Sequence, residues 1–211
     1  MESFDVAFVG AARTVLALIG RDEVRARWDA PSVLPKMSVG MLACHLGRQL
    51  ERAAEILPVA GTGEPIGEAA EHYRRAAWVA ATSLDDPSMD RSTDERQAAD
   101  GFDAMVARCD AAFRSSDALL TAGRAAPVVT IPWQGWSLRR ADFVLTRLVE
   151  IVVHSDDLAR SVDIAMPEFA PDAFVPVLHL LADLAAARHG QSALISALTR
   201  RERQPDTISA F

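Results

Sequence analysis

Apolar residues recur at helical spacing through most of the chain, and strict alternation is almost absent. Phe4, Phe8, Ala11, Ala12, Val15, Leu18 and Ile19 keep the 3.6-residue period and predict an amphipathic helix over residues 3–19. An irregular connection with Pro31 and Pro35 follows. Ser38 then reads as the N-cap of a second helix, "SVGMLACHLGRQLERAAEIL", stopped by Pro58. Beyond the loop "PVAGTGEPIG", helical character is expected over residues 68–84 and again over 92–122, a region long enough to be broken. "APVVTIPWQGW" carries a short β-branched run and a Pro/Gly turn, so it reads as an extended connection or a small strand. Ser137 is the expected cap of the next helix, with Trp136 stapled over its first turn. A helix over 172–189, stopped by Gly190, and a last short helix complete the chain. Four long helical regions with little strand signal predict an all-α four-helix bundle over residues 1–163. Residues 164–211 are expected to form a short helical extension packed on it.

Composition narrows the function classes. The 211 residues carry a net charge of -7, and their arginines are scattered, with Lys36 the only lysine, so a phosphate-neutralising role in nucleic-acid binding is disfavoured. Cys44 and Cys109 have no zinc-ribbon or disulfide-framework spacing, which suits a reducing compartment. The acidic opening "MESFDVAFVG" does not read as a signal peptide, and no apolar run has the length of a membrane span. A cytoplasmic protein without membrane attachment is expected.

The candidate chemistry lies in "LTRLVEIVVHSDDLARSVD", residues 145–163. Glu150 and His154 are about 40° apart on a helix surface, and Asp157 lies about 20° to the other side of Glu150. Leu145, Leu148, Val149, Ile151, Val152, Val153 and Val162 fill most of the remaining circumference. Such a helix is expected to be central, with its narrow polar stripe turned into the bundle or onto a cleft. Two ligands at i and i+4 can meet one ion, and His45 in the second helix, with Gln49 one turn on, is the natural third. A solvated stripe and a metal site both fit these residues. Arg147 either contacts a substrate carboxylate or pairs with an acid at the surface. Cys44 adjoins His45, but neighbours on a helix point about 100° apart, so it reads as a small buried residue.

The segments "MSVGMLACHLGRQL", "RLVEIVVHSDDLA" and "AARHGQSALISALTRRERQPDTISAF" resemble the mycothiol-dependent maleylpyruvate isomerase N-terminal family, one of the DinB-like four-helix metalloproteins. Met37 stands where that family usually has a tryptophan. The resemblance implies a divalent metal, usually zinc, held by His45, Glu150 and His154, with Asp157 supporting a ligand without binding the ion. It implies mycothiol as thiol cosubstrate and a small electrophile as substrate. A catalytic zinc with three protein ligands keeps one position open, where a thiol coordinates as thiolate. The expected activity is therefore a thiol S-transferase or an isomerase acting through a transient adduct. A metal-dependent hydrolase and a non-catalytic metal-binding bundle that binds a ligand or partner are the alternatives. The apolar surface is compatible with a homodimer.

Overall fold

The computed structural model describes residues 3–211, in which four long helices form the core. They are α1 (Ser3–Ile19), α3 (Val39–Ile56), α6 (Phe102–Thr121) and α7 (Arg140–Ser161). Around the bundle, α3 packs on both α7 and α6, and α1 closes the square by packing on the same two helices. The protein is all-α apart from one hairpin. Phe8, Ile19, Leu42, Leu46, Leu50, Met105, Leu120 and Phe143 are fully buried where the four helices meet. The α3–α6 approach depends on Gly47, because a Cβ there would lie 2.3 Å from the Cys109 sulfur.

Shorter elements complete the chain. α2 (Asp22–Ala26) interrupts the first connection, and α4 (Ala69–Arg75) lies on α7 and α8. α5 (Ser92–Ala99) lies on α3 and α6, and the chain turns from it into α6 at Gly101, whose φ of 89° suits glycine. α8 (Pro171–His189) packs on α1, α4 and α7, and α9 (Gln191–Thr199) packs on α8. No helix of the described residues is long and apolar enough to cross a membrane.

Three expectations need correction. The helix over 68–84 ends at Arg75 and gives way to a 3-10 turn at Ala77–Ala80. Ser137 does not cap α7. It lies in β2 (Trp136–Arg139), which pairs antiparallel with β1 (Val128–Ile131), and its hydroxyl meets the Thr130 hydroxyl at 2.8 Å. α7 instead starts directly from the strand at Arg139, without a side-chain cap. Trp136 therefore does not staple the helix; its indole N–H donates to His72 Nδ1 at 3.3 Å. The first amide of α7, Arg140 N–H, donates to the Pro127 carbonyl at 2.8 Å.

Candidate metal centre

The polar stripe of α7 faces α3. His45 extends from α3 toward α7 one turn before Gln49, and Glu150 and His154 extend from α7 to meet it. The Nε2 atoms of His45 and His154 lie 3.8 and 3.4 Å from the same Glu150 oxygen. The two imidazoles stand edge to face with centroids 4.7 Å apart. One donor atom from each of the three residues lies within 4.8 Å of the others.

Each histidine has its second nitrogen on a carboxylate. Asp157 Oδ2 lies 2.9 Å from His154 Nδ1, and Asp94 Oδ2 lies 3.1 Å from His45 Nδ1. In each ring Nδ1 therefore faces a carboxylate and Nε2 faces Glu150, with Arg48 Nη2 also 3.1 Å from His45 Nδ1. Two imidazole nitrogens and a carboxylate turned toward one point are groups that could hold a metal ion. Tetrahedral ligands at about 2.0–2.1 Å would stand about 3.3 Å apart, close to the separations found here. Side-chain exposures of 23, 16 and 19% for His45, Glu150 and His154 leave the centre partly exposed.

The electrostatics point the same way. Burial would raise the Glu150 pKa, but its interactions with His154 and His45, together with Arg147, hold it well below the usual carboxylate range. Burial likewise opposes charge on His154, yet Asp157 and Glu150 raise its pKa to about 9. The centre attracts positive charge strongly enough to overcome desolvation.

Asp94 was not legible from spacing. It comes from α5, in the polar run "STDERQ", and only the packing of α5 on α3 brings it to His45, where it is 1% exposed. Arg48, one turn along α3, holds the other Asp94 oxygen at 2.8 Å. Arg147 corrects the expectation of a surface ion pair. It is 3% exposed, donates to Gln49 Oε1 at 2.5 Å and reaches the Thr146 hydroxyl.

Cys44 and Cys109 are both buried, and burial pushes each thiol up to about 12. His189 bonds to the backbone of Ser209, far from this centre in the chain.

A helical bundle with His, Glu and His converging from two facing helices is the arrangement in which bundles hold metal ions. The model of the mycothiol maleylpyruvate isomerase N-terminal domain matches residues 9–159, so the chain belongs to that family. The match runs from α1 through nearly all of α7 and includes the three converging residues. Among curated proteins and among solved structures, none matches the chain.

Proposed function

We propose that the protein is a metal-dependent enzyme that joins a low-molecular-weight thiol, mycothiol by family, to a small electrophile, as an S-transferase or an isomerase. The observation that carries this reading is the convergence of His45, Glu150 and His154 on one point with both Nδ1 atoms already held by carboxylates. These three residues would hold the ion, and zinc suits their nitrogen and oxygen donors. Bound there, a divalent ion would lower the pKa of a coordinating thiol enough to make it a thiolate at neutral pH.

The chain's own residues do the rest. Asp94 and Asp157 fix the tautomers and orientations of the two imidazoles, which raises their strength as donors. Glu150 supplies the negative charge that offsets a dication. Arg147 and Gln49 lock each other beside Glu150, keeping the seam between α3 and α7 from relaxing. Neither cysteine can act as the nucleophile, because both thiols are buried and protonated at neutral pH, so the reacting thiol must come from solution.

Metal analysis of the purified chain and of His154→Ala tests the reading. We expect about one equivalent of divalent metal in the parent protein. In the variant we expect loss of that metal and of thiol consumption with a panel of electrophiles, while the helical circular dichroism is kept. Full thiol consumption by metal-free protein would overturn the proposal.

A further inference from the structure

α5 docks on the bundle without an apolar stripe. Its sequence, "STDERQAA", offers only Ala98 and Ala99 as apolar side chains, and its buried residue is Asp94. A helix this short does not hold itself together in water, so its contacts with the bundle decide whether it forms. Those contacts are chiefly polar. At the C-terminal end, Arg108 of α6 donates from Nη1 to Asp100 Oδ2 at 3.1 Å and from Nη2 to the Gln97 carbonyl at 3.4 Å. Gln97 Nε2 donates to Glu51 of α3 at 2.9 Å, and the Trp28 indole N–H donates to the Ala98 carbonyl at 3.1 Å. In the first turn, Asp94 Oδ1 lies 2.8 Å from Arg48 Nη2, and its Oδ2 lies 3.1 Å from His45 Nδ1.

Asp94 is the member of this set that docking disfavours most. Burying a carboxylate is unfavourable unless its partners offset the lost water. One partner is constant and the other is conditional. Arg48 carries its charge at all times, whereas the strength of His45 as a donor depends on what its far nitrogen holds. A cation on Nε2 polarises the imidazole, and the ring N–H on the other side then bonds more strongly to its carboxylate.

We infer that Asp94 couples the docking of α5 to occupancy of the metal centre, so that an ion bound there closes α5 against α3 and opening of α5 loosens the ion. The inference rests on the proposed metal centre and deepens it by naming the element that regulates it. Among the described residues, Asp94 is the α5 side chain that bonds one of the three converging residues, so the coupling passes through a single carboxylate. Such coupling is reciprocal. If Asp94 strengthens metal binding about 10- to 100-fold, metal must shift the docking equilibrium of α5 by the same factor.

Amide hydrogen exchange of the full chain, with and without saturating zinc, reads this equilibrium, and competition with a chelator reads zinc binding itself. In the parent, zinc should slow exchange across residues 92–100 about 10- to 100-fold and leave α9, which packs on α8, at its zinc-free rate. Asp94→Asn should still bind zinc, more weakly, and its α5 exchange should be nearly the same with and without the ion. Arg108→Gln breaks the far end of the helix contacts without touching the centre. In that variant α5 should exchange faster without zinc, and zinc should restore the same factor as in the parent. Four results would each overturn the coupling while leaving the metal reading in place: zinc bound by the parent with α5 exchange unchanged, α9 slowed as much as α5, the full slowing kept in Asp94→Asn, or no faster exchange in zinc-free Arg108→Gln. A parent protein that binds no zinc would overturn the metal reading and this inference with it.

Discussion

α3 forms two seams of opposite character. Toward α6 it is close and mainly apolar, with Gly47 against Cys109 and the Glu51–Arg108 ion pair at its edge; toward α7 it carries His45, Gln49 and Arg52 opposite Arg147, Glu150 and His154. The first seam stabilises the fold through dispersion contacts and removal of apolar surface from water. The second buries charges whose desolvation is offset only by dense mutual pairing, an arrangement that an apolar pair of the same volume would match or exceed in stability. One helix thus separates what holds the bundle together from what the bundle is proposed to do.

Perturbing each seam should give different symptoms. The largest effect is expected for Gly47→Leu, where the first added carbon already collides with the Cys109 sulfur. We expect a loss of about 3 kcal/mol or more in denaturant unfolding, and folded Gly47→Leu that still binds metal. An unchanged midpoint would mean that the two helices are not in close contact.

On the polar side, His72 makes stability depend on pH. Burial first, then Arg147, lowers its pKa from 6.5 to about 4. The unfolded chain takes up this proton near 6.5 and the folded chain only near 4, so the contribution is complete above 6.5 and is lost as the pH falls toward 4. The full amplitude is on the order of 3 kcal/mol. His72→Phe should flatten that acid limb in urea melts between pH 7 and 4; the same slope in both proteins would refute this assignment.

Asp94→Asn should leave the fold intact and weaken metal affinity about 10- to 100-fold, measured by competition with a chelator, because His45 loses the carboxylate that orients it. Equal affinity would show that Asp94 does not support His45. The smallest effect is expected for Trp136→Phe. Removing the indole N–H from His72 should cost about 1 kcal/mol of stability and leave metal affinity unaltered.

Periodicity made the four core helices legible, and the boundaries of α1 and α8 fall within a residue or two of those expected, because each carries a long apolar stripe and α8 a glycine stop. The hairpin was visible only as "VVTIPWQGW". Its second strand consumed the residues that read as a cap and a staple, since strand pairing and helix capping compete for the same backbone groups. A limit of local reasoning appears in residues 68–84. The alanine-rich composition favours a helix, whereas packing of Trp78 against Tyr73 and Phe211 accompanies a 3-10 turn there.

The sequence alone determined that Glu150, His154 and Asp157 share one side of a largely apolar helix, because helical geometry fixes neighbours at three and four residues, and it left open whether that stripe met solvent or a facing helix. It also singled out His45 as a histidine on a second amphipathic helix. Only the tertiary structure decided that Asp94 reaches His45, that Arg147 pairs with Gln49 inside the bundle, and that Arg52 stacks on Trp133. Those contacts join residues 49 to 98 positions apart in the chain, and their distances depend on how helices pack, which no local spacing encodes.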